Sequence, residues 1–305
     1  MPRSLLTPVA VFFTALAWSG SWITGKLALA GAPPLEISTV RFIIAAAVLV
    51  AITLATRADL GRGSLWPVTL AGFLGYCAYN AFVFVGLTMA PASDGALIVP
   101  TLIPVLTALA ATFIGERLTS MKLAGFAVAS IGVALVIVAG QTGDEVSSRR
   151  LIGDVLMVLG AVCWATYTVL GTIAMRTRSP LAVVTIAAPI GALCLVPLGF
   201  LEKGYADVPG WSLSVWLNVL YLALIGSVAS FILFYWVVRR VGAGVAAMTS
   251  YLVPVLTLAM AVVFLGDRPA PLQLAGGVVI LAGVRLATLR LAREGRPVPE
   301  GLPNS

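Results

Sequence analysis

Apolar residues run through this chain in ten stretches of roughly twenty, each closed by a short polar break. They cover 8–29, 37–56, 66–88, 93–114, 121–140, 151–174, 180–201, 213–236, 242–265 and 271–289. Hydrocarbon offers no partner to a bare N–H or C=O, so a helix that closes its own hydrogen bonds is the solution open to such a stretch. The pattern predicts an all-α integral membrane protein of ten transmembrane helices with short loops.

Composition strengthens that reading. Of the 305 residues 60% are hydrophobic, only 10% are charged, and the mean hydropathy is +1.05. A soluble domain of this size would not tolerate those values. Histidine is absent, which removes the commonest general base and metal ligand. Cys77, Cys163 and Cys194 stand far apart in apolar runs and resemble neither a disulfide framework nor a zinc cluster. With no Gly-rich Lys-Ser/Thr phosphate loop and no nucleophile paired with a base, the sequence argues against an enzyme and against any cofactor or metal.

The net charge of +7 follows from topology, without a nucleic-acid partner. With the N-terminus inside, 13 basic residues fall on one side of the bilayer and five on the other, and Arg41 lies within a helix. The positive-inside rule then places both termini in the cytoplasm of a cell whose inner membrane the chain spans. Arg3, the apolar run and Ala28-Leu29-Ala30 imitate a cleavable signal peptide. That run is longer than a usual signal core and has a counterpart later in the chain.

The counterpart belongs to an ordered internal repeat. Trp18 pairs with Trp164 and Pro34-Leu35 with Pro180-Leu181 at an offset of 146. Trp66 pairs with Trp216, and Pro104-Val105-Leu106-Thr107 with Pro254-Val255-Leu256-Thr257, at 150. Gly115-Glu116-Arg117 pairs with Gly266-Asp267-Arg268, and Leu123-Ala124-Gly125 with Leu274-Ala275-Gly276, at 151. The chain therefore divides into 1–145, 146–290 and a cytoplasmic tail at 291–305. Each repeat holds five spans, an odd number, so the second enters the bilayer inverted. Inverted repeats put a binding site near the midplane, between elements that rock.

Trp18, Arg41-Phe42, Pro104 and the two Gly-acid-Arg corners followed by Leu-Ala-Gly resemble the EamA type of the drug/metabolite transporter superfamily over about residues 8–290. Within it the aromatic interior is most similar to the YddG-type exporters. The resemblance implies ten helices, cytoplasmic termini and outward movement of aromatic and other neutral amino acids. Other metabolites, lipophilic cationic drugs and a channel remain as alternatives. The expected partners are a small-molecule substrate and the bilayer, and a monomer suffices because one chain holds both halves.

Mid-span polar and aromatic residues nominate the pathway: Trp18, Tyr79, Asn80, Thr101, Trp164, Ser250 and Tyr251. Trp22 and Lys26 continue the Trp18 stripe and read better as interface residues. Arg41, whose repeat position is Ala187, either snorkels or pairs with Glu36, or it attracts a substrate carboxylate. Pro100, Pro104 and Pro254 interrupt the backbone ladder and are candidate hinges. Glu116 and Asp267 read as corner residues that stabilise loop turns. The acids lie at helix ends or in loops, with Asp94 and Asp154 nearest the interior, so proton coupling is not expected.

Overall fold

A computed structural model describes residues 3–90, 92–138, 148–265 and 271–288. Among these there are ten helices and no strand. They are α1 (Arg3–Leu29), α2 (Pro34–Thr56), α3 (Trp66–Leu87), α4 (Ala92–Ala111), α5 (Ser120–Val138), α6 (Ser148–Ala174), α7 (Pro180–Gly199) and α8 (Leu213–Val241). The last two are α9, built from Ala243–Ala246, Ala247–Tyr251 and Leu252–Leu265, and α10 (Pro271–Thr288). Six of them, α1, α2, α3, α6, α7 and α8, are long and apolar enough to cross a membrane, and the other four carry shorter apolar stretches.

Local chemistry sets the boundaries. Proline stands at the first position of α2 and of α7, where a missing N–H costs nothing. This carries α2 three residues earlier than the apolar run suggests. Ser179 and Ser212 cap α7 and α8 by accepting from the N–H groups of Ala182 and Val215. The α4 helix tightens into a 3₁₀ turn at Thr112–Ile114 and stops at Gly115, whose φ of 92° suits glycine. A second left-handed glycine, Gly242, turns the chain from α8 straight into α9.

Both α3 and α8 are broken in mid-span by a six-residue π turn, Phe73–Ala78 and Leu224–Ala229. Such turns leave carbonyls out of register with the helical ladder. Polar side chains meet them: Asn80 donates to the carbonyls of Gly75 and Tyr76, Ser227 to Leu222 and Ser230 to Gly226.

Packing follows residue size. The α5 and α10 helices touch through glycines, and a Cβ at Gly132 would stand 2.6 Å from the Ile280 nitrogen and 2.8 Å from the Gly276 carbonyl. Small residues let helix backbones approach this closely. The α2 helix packs on α7, α4 on α6, and α1 on α8 and α9, which makes α1 part of the interior scaffold. Large apolar side chains stay on the outside, Leu54 at 72%, Leu193 at 73% and Phe113 at 91% exposure. Exposed apolar surface on this scale calls for lipid contact.

Two carboxylate clasps join distant segments. Glu202, after α7, accepts from the N–H groups of Leu35 and Glu36 at the start of α2. Glu36 in turn accepts from the N–H groups of Lys203 and Tyr205. Glu116 accepts from Ala243 at 2.6 Å and Gly244 at 3.1 Å, the first turn of α9. Glu116 thus holds the turn that leads into α9, an element far along the chain from the corner in which it stands. Its repeat mate Asp267 lies outside the described residues.

Candidate functional site

A cavity partly open to the outside lies among α1, α2, α3, α4, α6, α8 and α9. Its aromatic wall is continuous. Trp18 meets Trp164 edge to face at 5.2 Å, and Tyr79 meets the same indole at 4.9 Å. Phe231 closes the back of Trp164 at 5.3 Å. Trp18 is fixed by donating its indole N–H to Ser230 Oγ at 3.1 Å, so a residue of α8 orients a residue of α1.

One cation faces this wall. Arg41 is only 5% exposed, donates from Nε to Ser227 Oγ at 2.9 Å and from Nη1 to Asn80 Oδ1 at 3.4 Å, and lies 4.5 Å over the Phe42 ring. Its partners come from the two π turns and their borders, so one guanidinium ties α3 to α8 through α2. The pairing of Arg41 with Glu36 is not formed: the guanidinium donates to Ser227 and Asn80, and Glu36 Oε1 accepts from the backbone N–H groups of Lys203 and Tyr205.

Of the residues nominated from the sequence, Trp18, Arg41, Tyr79, Asn80, Pro100, Trp164 and Ser250 border the cavity. Thr101 and Tyr251 do not. Tyr251 is fully buried and points its hydroxyl at Ser130 Oγ and the Thr101 carbonyl, both at 3.4 Å. Pro104 and Pro254 are buried off the wall. Pro254 comes just after the 3₁₀ turn at Ala247–Tyr251, as expected where an N–H is missing from the ladder.

Trp22 lines the cavity, which corrects its placement at the lipid interface, whereas Lys26 is exposed. Ser21, Gly25, Phe84, Leu222, Gly226 and Phe231 also line it and were not singled out in the sequence. The i, i+4 spacing from Trp18 to Trp22 was the available signal for Trp22. Among the described residues of the wall there is no Asp or Glu, and no group of three metal ligands occurs. Asp154 is half-buried on α6, and the side chain of Asp94 lies outside the described residues.

The model of the EamA-like transporter family matches this chain twice, over residues 6–138 and 151–289. The chain belongs to that family. A transporter of Archaeoglobus fulgidus, itself uncharacterised, is 29% identical over 93% of this chain and 98% of its own length. A probable terminal-alkyne amino-acid exporter of Streptantibioticus cattleyicolor is 30% identical over 92% of this chain and 93% of its own. A probable amino-acid metabolite efflux pump of Salmonella typhimurium is 29% identical over 92% and 95%. A solved crystal structure, 25% identical, superposes with a TM-score of 0.78 over 96% of this chain and all of the other. This EamA-like protein is therefore a multi-pass membrane transporter and not an enzyme.

Proposed function

We propose that the EamA-like protein is a secondary transporter that exports small neutral and aromatic amino acids, and amphipathic metabolites like them, across the inner membrane by alternating access. The observation that carries this reading is the cavity itself, a ring of indole, phenol and phenyl faces around one buried guanidinium. Aromatic walls bind apolar side chains of substrate by burial, and a cation fixed in low dielectric takes a carboxylate. The names of two relatives, one an amino-acid exporter and one an amino-acid metabolite efflux pump, lend support.

The architecture fits the same reading. Ten spans in two inverted five-helix repeats accord with the doubled family match, the ordered sequence repeat and the π turn shared by α3 and α8. With 13 basic residues on one side and five on the other, both termini are cytoplasmic.

Proteoliposomes holding the purified protein test the proposal. Preloaded phenylalanine or leucine should leave with saturable kinetics, and Trp18→Ala or Trp164→Ala should cut the rate at least tenfold while folded protein is recovered in normal yield. Variants that are folded and transport like the parent would remove the aromatic wall from the mechanism. Flux that rises linearly with concentration would favour a channel.

A further inference from the structure

Tyrosine is a costly residue to bury completely, because its hydroxyl gives up water and then needs a partner. Three tyrosines nevertheless stand fully buried on three helices, Tyr76 on α3, Tyr167 on α6 and Tyr235 on α8. Their rings meet in series, Tyr76 to Tyr167 at 5.8 Å and Tyr167 to Tyr235 at 5.1 Å. The series joins the cavity wall where Trp164 meets Tyr167 at 5.1 Å. Each ring is seated on a glycine of another helix. A Cβ at Gly191 would collide with Tyr76, one at Gly75 with Tyr167 and one at Gly171 with Tyr235.

Two features set this layer apart from an ordinary packed core. The Tyr235 hydroxyl donates to the Tyr167 carbonyl at 3.0 Å, so one hydrogen bond fastens α8 to α6. The Tyr76 and Tyr167 hydroxyls and the Trp164 indole N–H, by contrast, are buried with no partner at hydrogen-bonding geometry. Leaving such groups unpaired costs stability that phenylalanine in place of tyrosine would avoid. An arrangement of the same helices in which these groups face water or a polar ligand offsets that cost. Position points the same way. The cavity takes α1 from Trp18 to Gly25 and α3 from Tyr79 to Leu87, which in the topology proposed above are the outward halves, whereas Tyr167 and Tyr235 lie toward the inward ends of α6 and α8.

We propose that Tyr76, Tyr167 and Tyr235 form the inner gate of the transport path, closed in this structure, and that the unpaired hydroxyls and indole N–H become the polar lining of the path's inner half when the gate opens. The inference rests on the alternating-access reading above. Opening breaks the bond from Tyr235 to the Tyr167 carbonyl and slides the rings off their glycine seats. A substrate arriving from the cytoplasm then gives its polar head to groups that have no partner while the gate is shut, before it reaches the cavity.

Hydroxyl-radical footprinting of the full chain in lipid nanodiscs, read by mass spectrometry, tests the gate with Tyr235→Phe, which keeps the ring on Gly171 and removes the hydrogen bond. Oxidation of Tyr76 and Tyr167 should rise several-fold, the shift expected when one of two states loses a hydrogen bond. Oxidation of Trp22 on the cavity wall should fall in step, while Phe126, buried where α5 packs on α10, stays protected. The fall at Trp22 separates a gate from loosened packing, since a path that opens inward closes its outer cavity. If the phenylalanine variant folds poorly, Gly171→Ala, which pushes Tyr235 off its seat, should give the same pair of changes. Tyr76 and Tyr167 unchanged, or rising while Trp22 holds steady or Phe126 rises with them, overturns the gate. Saturable phenylalanine efflux from proteoliposomes of the wild-type protein tests the exporter reading separately, so that reading survives a failed gate and falls only if efflux is absent.

Discussion

Glu202 is placed where its charge and its burial pull in opposite directions. Burial pushes its carboxyl above the usual range, while the N–H groups of Leu35 and Glu36 act the other way and the neighbouring Glu36 carboxylate adds to the rise. A raised carboxyl in the folded state means that stability is full at low pH and is lost as pH rises through that raised value. Glutamine keeps an acceptor without the charge. Glu202→Gln should therefore match the parent in thermal stability at acid pH and exceed it slightly at neutral pH. Glu202→Ala, which removes the acceptor for two N–H groups, should cost about 1–2 kcal/mol at either pH. Melting temperatures measured across the acid-to-neutral range check both. At this scale the sequence was readable where periodicity reports on one helix. Trp18 and Trp164 stand out as deep aromatics, yet Trp22 and Glu116 do not reveal their roles, because each is decided by an element far along the chain. Arg41 shows the same limit: one turn into a span it could face either way, and Ser227, 186 residues on, settles which.

At the scale of elements, α4 and α9 carry the matched prolines and differ in what surrounds them. In α4 the helix runs through Pro100 and Pro104. In α9 the turn before Pro254 has tightened to 3₁₀ at Ala247–Tyr251, and Ser19 donates to the Val253 carbonyl at 3.1 Å. A ladder with missing bonds bends at low cost. Pro104→Ala and Pro254→Ala should each slow turnover several-fold while leaving KM within about threefold, as expected when a conformational step limits the cycle. Efflux kinetics under saturating substrate separate the two constants, and unchanged turnover in both variants would make these prolines static bends. The π turns of α3 and α8 belong here as well. Their polar companions, Asn80 and Ser227, are visible in the sequence as mid-span polar residues, but the turns are not, since no residue type dictates a π turn without its tertiary partners.

For the whole molecule, the spacing of apolar runs was enough to give ten helices within a few residues at each end, because lipid imposes one length and one pattern on every span. The cavity was less accessible, since seven helices contribute to it and the sequence orders none of them in space. Energy coupling is also a whole-molecule property. With no described Asp or Glu on the cavity wall, transport should follow the substrate gradient. A pH gradient imposed on proteoliposomes, with the membrane potential clamped and no substrate gradient, should not concentrate substrate. Uphill accumulation abolished by a protonophore would turn attention to Asp94 and Asp154.

In the alternating-access cycle proposed above, the clasp between Glu116 and the first turn of α9 would serve as a catch. Counted along the chain, Glu116 lies at the end of the bundle opposite Glu36 and Glu202, and each clasp joins one family-matched stretch to the other. Were the two stretches to tilt as rigid bodies in that proposed cycle, a stroke would strip a carboxylate from two backbone N–H groups at one rim and hand those groups to water. The clasp then acts as an escapement, holding the bundle still between strokes and setting how often it slips. Glu116→Gln should exchange the amide hydrogens of Ala243 and Gly244 faster than the parent, and Glu116→Ala faster again, as read by mass spectrometry of the peptide spanning them. A transporter whose escapement is loosened in this way would idle, cycling more often at a given temperature whether or not its cavity is filled.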